Sequence, residues 1–301
     1  MRVIPSAAWP CTIACAALWL AGCASKPQAP VAPATVQPAA QPSLPHSDEA
    51  TLAALDRVLA GPQRSATNRA RDAYRHPRET LEFFGIHDNQ TVMEVWPGAG
   101  GWYTEVLAPL LRERGRYIAA GYDPAADNRY TQDSIRTFRA KLDAAPEFYG
   151  RVEVLALQHP SALAPLPPAS VDLIVTFRNL HNWLAREGAA PAMLAAMYAA
   201  LKPGGVLGLV DHRADPVAAA DPLVRNGYVN EQAAIDLVER AGFEFIGSDE
   251  VNANPRDTRD YDQGVWTLPP TWRLGDKDRE RYAAIGESDR FTLRFRKPQR
   301  P

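Results

Sequence analysis

The chain predicts an α/β fold: a doubly wound, mostly parallel seven-stranded sheet with helices on both faces and a C-terminal antiparallel hairpin. Three observations predict it. Short apolar runs alternate with amphipathic stretches between Thr91 and Arg240, the rhythm of βαβ units. A glycine cluster, Gly98-Ala99-Gly100-Gly101, follows the first apolar run directly. The last two strand-like runs have no helix-length crossover pattern between them, so they would pair antiparallel.

In chain order, the first residues are a secretory signal: Arg2, then an apolar run ending in "LAGC". Pro5 and Pro10 interrupt the run, which is too short for a confident membrane span. Three cysteines occur, Cys11, Cys15 and Cys23. Cys11 and Cys15 lie inside the signal run, so its removal would leave no pair for an internal disulfide. Residues 23–46 are rich in proline, alanine and glutamine without hydrophobic periodicity, the composition of a semi-extended tether. The domains are therefore a signal peptide over 1–22, a tether over 23–46 and a folded domain over 47–301, whose first part, 47–90, is a helical lid. Lys and Arg number 33 against 35 Asp and Glu, which gives no argument for a nucleic-acid partner.

"NRARDAYRHPRETLEFFGI" reads as one amphipathic helix with an apolar stripe of Leu81, Phe83 and Phe84. Its "YRHP" would bring Tyr74, Arg75 and His76 over the pocket. Strands follow at "TVMEV", "RYIAAGY", "VEVLAL", "VDLIVTF" and "VLGLV", with helices at "GWYTEVLAPLLRER", Arg129–Leu142 and Ala189–Ala200 between them. "LKPGG" has the order of a type II turn. A helix over Glu231–Arg240 precedes strands in "AGFEFIGSDEV" and "RFTLRFRKP". The polar connection over 249–289 exceeds ordinary loop length and is a lid, a binding loop or partly disordered.

The glycine loop brings backbone close to a ligand. A P-loop would need Gly-Lys-Ser/Thr where the chain has "GGWYT". A dinucleotide loop would need a small residue where Tyr103 stands. "EVWPGAG" instead resembles the first motif of the class I S-adenosylmethionine (SAM)-dependent methyltransferases. The resemblance continues in "AAGYDP", in "VDLIVTFRNLHNW", in "LKPGGVLGLVDHR" and in the closing hairpin, over nearly all of Thr91–Lys297. More closely, "VWPGAGGWYTEVLAP" with "TFRNLHNW" resembles a group of bacterial predicted methyltransferases of unknown substrate. "LAGC" resembles the lipobox of bacterial lipoproteins.

These resemblances imply a lipid anchor on Cys23, a cell-envelope location facing the periplasm (the outer membrane, since Ala24 is not aspartate), and SAM as cofactor. They place Glu94, Gly98 and Gly100 at the methionine end, Asp123 at the ribose hydroxyls and Gln158 at an adenine edge; Trp96 and Asn179, by their position in the chain, join them as cofactor-binding candidates. The family commonly has glycine at the position of Trp96. Pro97 restricts residue 96 to extended geometry, so the indole is expected in the mouth of the pocket, close to Asn179 or His181.

In an open α/β sheet the ligand lies beyond the carboxyl ends of the strands. The fourth strand ends in Arg178, Asn179, His181, Asn182 and Trp183, and the fifth in Asp211, His212 and Arg213. Methyl transfer needs an in-line nucleophile and often a base, for which histidine is suited. His181, His212 and Asp211 are the catalytic candidates. The plainer reading makes His181 a turn-bonding residue and Asp211-His212-Arg213 a structural network. No metal site is expected. The acceptor is read as a small molecule; the sequence says nothing of oligomeric state. The alternative is an envelope lipoprotein that keeps the fold to bind another ligand.

Overall fold

Four short helices come first: α1 (Glu49–Leu59), α2 (Ala66–Arg69), α3 (Asp72–Arg75) and α4 (Pro77–Phe83). The computed structural model describes residues 46–159, 162–163, 167–217 and 224–299. Cys23, the signal and nearly all of the tether fall outside these. The described residues belong to one compact unit.

The continuous helix expected near Asn68 is three pieces. Pro77 has no N–H and crowds the preceding residue, so the chain cannot carry a helix through it. His76 is left-handed (φ 37°) and Pro77 opens α4 as its first residue, where the missing donor costs nothing.

The sheet begins with β1 (Thr91–Val95), α5 (Thr104–Leu111), β2 (Arg116–Gly121), α6 (Arg129–Ala144), α7 (Pro146–Tyr149), β3 (Glu153–Gln158) and β4 (Ala162–Leu163). It continues with β5 (Val171–Phe177), α8 (Leu180–Leu184), α9 (Ala189–Ala200), β6 (Leu201–His212), α10 (Glu231–Arg240), β7 (Glu244–Asp249), α11 (Arg279–Ile285) and β8 (Arg290–Arg296). The strand order is β4-β3-β2-β1-β5-β6-β8-β7. The pairs from β3 through β6 are parallel, while β8 runs antiparallel to both β6 and β7. These are the seven expected strands. Two-residue β4 adds an antiparallel edge to β3. Gly204, with φ 81°, supplies the conformation expected in "LKPGG", although β6 begins before it.

Residue alternation decides which face each side chain joins. Met93 and Val95 of β1 pack with Ile118, Ile174 and Leu207 under α9 and α10. Val92 packs on the other face with Leu173 and Val175, under α5, α4 and α1. Both faces are thus covered, as parallel strands require. Each fully buried leucine, such as Leu55, Leu107 or Leu194, contributes about 1.5–3 kcal/mol. Asn128 and Asn230 cap α6 and α10 by accepting from an N–H three residues on.

Candidate active site

The parallel strands end together at one edge of the sheet, and a cleft of about 270 Å³ opens there. Its walls come from several parts of the chain, His212 at the end of β6 and Tyr122 after β2 among them. The β1 turn gives Glu94, Trp96 and Gly98, and the β5 end gives Arg178, Asn179 and His181. The N-terminal helices contribute Arg75. The long C-terminal connection contributes Trp266, Glu287 and Ser288. A smaller apolar cavity of about 140 Å³ lies alongside, between α6 and the ends of β2 and β3, and shares Trp96 and Gly98.

The glycine turn is open. A side chain placed at Gly98 or Gly100 would meet no protein atom within 4 Å, and Gly98 has φ 72°. The protein's own packing does not require these glycines to be bare; the space above Gly98 belongs to both cavities and suits a ligand's close approach, whereas exposed Gly100, also expected at the cofactor, lines neither cavity.

Beneath the turn, Glu94 is buried among β1, β2 and α5. Its Oε2 accepts bonds from the Tyr117 and Thr104 hydroxyls. Burial outweighs those bonds and raises the carboxyl to about 7.

Trp96 departs from its expected geometry. Its N–H still bonds the Ala120 carbonyl at 2.8 Å, but its φ is 52°, left-handed rather than extended. Such a residue persists when its surroundings over-determine it. Here the indole N–H donates to the Leu157 carbonyl at 2.8 Å. The ring meets Trp183 edge-on at 5.8 Å and lies 4.9 Å from Tyr122. It is 7 % exposed, a packed wall shared by both cavities rather than an open mouth.

Asp123 and Gln158 line neither cavity. Asp123 Oδ1 accepts the Ala125 N–H at 2.8 Å, closing its own Asp-Pro turn, and its backbone N–H donates to Gln158 Oε1 at 2.9 Å. The two residues tie the end of β2 to that of β3. Asn179 does reach the cleft, where its amide nitrogen donates to the Val95 carbonyl at 2.8 Å and so braces the β1 turn.

The three catalytic candidates come together. Asp211 is fully buried at the end of β6. Its Oδ2 accepts the His181 backbone N–H at 3.0 Å, and its Oδ1 lies 2.8 Å from His181 Nδ1. The same Oδ1 accepts the His212 N–H at 2.7 Å. One carboxylate thus fixes the His181 ring from two sides and leaves Nε2 for another partner. His212 Nδ1 is 2.5 Å from Ser288 Oγ. Burial, with His181, Arg178, Arg290 and Arg75 close by, pushes the His212 imidazole well below its ordinary value and keeps it neutral.

The nearest ligand atoms of His181, Asp211 and His212 lie within 4.8 Å of one another. Asp211 already accepts three N–H donors and His212 Nδ1 is engaged, so an ion could bind only by breaking the bonds that orient His181. Arg213 points elsewhere, into an ion-pair network with Glu231, Glu250 and Asp289.

Several cleft residues carry no sequence signal. Glu287 lies between Arg71 (2.6 Å), Arg75 (3.3 Å) and Arg290 (3.0 Å). Burial would raise its carboxyl, but Arg75, Arg290 and Arg71 prevail and hold it at about 2. Arg75, expected near the acceptor, lines the cleft with its guanidinium 4.8 Å over the Trp102 ring. Tyr74 and His76 do not line it.

No family description matches the chain, and no curated protein matches it in sequence. Solved structures do match in shape. A SAM-dependent methyltransferase from Aquifex aeolicus superposes with a TM-score of 0.51 at 17 % identity, over 82 % of this chain and 98 % of that one. The [4+2]-cyclase SpnF gives 0.51 at 18 % identity, over 82 % and 93 %. The likeness is one of overall shape, and the chain has the fold of the class I SAM-dependent methyltransferases.

Proposed function

We propose that the protein is a SAM-dependent methyltransferase acting on a small molecule, held in the cell envelope by an acylated Cys23. The observation that carries the activity is convergence. An open glycine turn, a buried carboxyl that titrates near 7 and an Asp-oriented histidine all face one 270 Å³ cleft at the strand ends.

When bound, SAM supplies a methyl group on a positively charged sulfur. Gly98, bare toward the cleft, would admit its methionine end, and ionised Glu94 would face that end's ammonium group. Asp211 holds His181 so that Nε2 can take the proton of an acceptor hydroxyl or amine. Asp123 would serve the ribose hydroxyls by turning its carboxylate from its own loop.

Isothermal titration of the purified chain with S-adenosylhomocysteine tests this reading. Binding is expected, weakened ten-fold or more in Asp123→Ala, because a bond to a charged acceptor contributes about 1.5–3 kcal/mol. No binding to the wild-type chain would sink the enzyme reading. Equal affinity in the variant would remove Asp123 from the site.

A second reading, a binding lipoprotein that uses the fold for another ligand, draws support from SpnF, a cyclase of like shape. It draws support also from the signal, since SAM carries charges that cross a bilayer poorly. The same titration separates the two.

A further inference from the structure

The cleft is lined by two arginines, Arg75 and Arg178, and two carboxyls, Glu94 and Glu287. Behind it Arg71 and Arg290 add two more guanidiniums, and Glu287 is shared among Arg71, Arg75 and Arg290. Buried Asp211 is occupied by N–H groups of His181 and His212. Among the described residues the Arg178 guanidinium has no hydrogen-bonded or ion-paired partner, although it lines the cleft. Arg75 is 4 % exposed, and its Nη2 is buried without a partner, as is Nη2 of Arg71.

Unpaired guanidinium donors away from water are costly. Arg178 is also held at a price in backbone strain. Its φ is 61°, and its N–H is pinned to the Val210 carbonyl at 2.7 Å. Arg178, unlike Arg75, is only part-buried, so its strained backbone holds an unpaired guanidinium open to the cleft, where an anionic ligand can meet it.

Arg178 follows the end of β5, three residues before His181, and both line the cleft. Its charge acts on Arg75, and Asp211, the carboxylate that holds the His181 ring, acts on Arg178 in turn. Aromatic surface lies next to it: Tyr103 and Phe177 stack at 3.6 Å, and Trp266 is 6.3 Å from the His181 ring.

We propose that Arg178 is an anion-binding subsite of the cleft, and that it takes the carboxylate of a small organic acid whose nucleophilic group then lies beside His181. This rests on the methyltransferase reading for the word acceptor; the anion subsite itself does not. A guanidinium offers a planar pair of donors that matches a carboxylate in bidentate geometry.

Benzoate and its neutral isostere benzamide, titrated into the purified full-length chain in chloride-free buffer, test the idea. The wild type is expected to bind benzoate at least ten-fold tighter than benzamide. Arg178→Gln should abolish that preference, and Arg178→Lys should retain part of it. Equal benzoate affinity in wild type and Arg178→Gln would overturn the subsite.

The anion could also be the carboxylate of the donor's methionine end. The affinities of S-adenosylhomocysteine and of methylthioadenosine, which lacks that end, separate the two sources. The proposal expects both affinities in Arg178→Gln to stay within three-fold of wild type. A ten-fold loss for S-adenosylhomocysteine alone would assign Arg178 to the donor and overturn the proposal. A benzoate preference that depends on Arg178, in a chain that binds no S-adenosylhomocysteine, would uphold the anion site and overturn the methyltransferase reading.

Discussion

Glu94 is where the sequence motif and the physics of burial meet. The carboxyl titrates at about 7 in the folded chain against a reference of 4.5. Between those values the folded state keeps a proton that the unfolded state has lost, so stability falls as pH rises, and above 7 the full cost is present. That cost is on the order of 3 kcal/mol. Glu94→Gln keeps an acceptor for Tyr117 and removes the charge. It is expected to be more stable than wild type by about 1–3 kcal/mol at pH 8 and equal to it at pH 4, as measured by urea unfolding. The same variant should lose affinity for S-adenosylhomocysteine, because the ionised form is the one that would face the ammonium group of the ligand's amino-acid end. The role of Trp96 was legible only in part. Its place after the first strand follows from the motif, but its left-handed backbone does not, because it depends on Leu157 and Trp183, distant in the chain.

At the scale of elements, legibility follows periodicity. The helices Ala189–Ala200 and Glu231–Arg240 and the strand Val171–Phe177 lie where the pattern places them, since each buries an apolar face at its own repeat. The N-terminal helix was overdrawn, although Pro77 carried the signal of its break. The connection over 249–289 has no period. It is nonetheless held in place, burying Val265, Leu268 and Tyr282 and carrying α11, while Asn254 alone bonds the carbonyls of Ile285 and Glu287. Glu287, at the end of that connection, fastens the N-terminal helices to the cleft through Arg71 and Arg75. Its carboxyl is held at about 2 against 4.5, so its contribution is complete above pH 4.5 and is lost as pH falls toward 2. Removing one partner from a buried ion cluster costs about 3–5 kcal/mol. Glu287→Gln should therefore lower the melting temperature at pH 7 and approach wild type near pH 2. Trypsin should cut more readily between Arg64 and Arg78. Unchanged melting and cleavage at pH 7 would show that the helices dock by apolar packing alone.

For the whole molecule, the fold was readable because parallel strands, a glycine turn and a closing hairpin leave few topologies open. The cleft's chemistry was half readable: His181, Asp211 and His212 sit at predicted strand ends, whereas the arginine cluster is assembled from both ends of the chain. Location is a separate question. No helix among the described residues is long and apolar enough to cross a membrane. A lipid on Cys23 would nevertheless hold the chain at a bilayer, each buried methylene contributing about 0.8 kcal/mol. Cys23→Ala should shift the protein from the membrane to the soluble fraction; unchanged fractionation would remove the anchor. The salt bridge of Arg71 to Glu287 spans 216 positions of sequence. A contact of that separation repays its loop-closure entropy only after most of the intervening chain is in place. The ligand site is therefore a late product of folding, and an exported chain, emerging amino end first, would be unable to bind anything there until its final strand had crossed and docked.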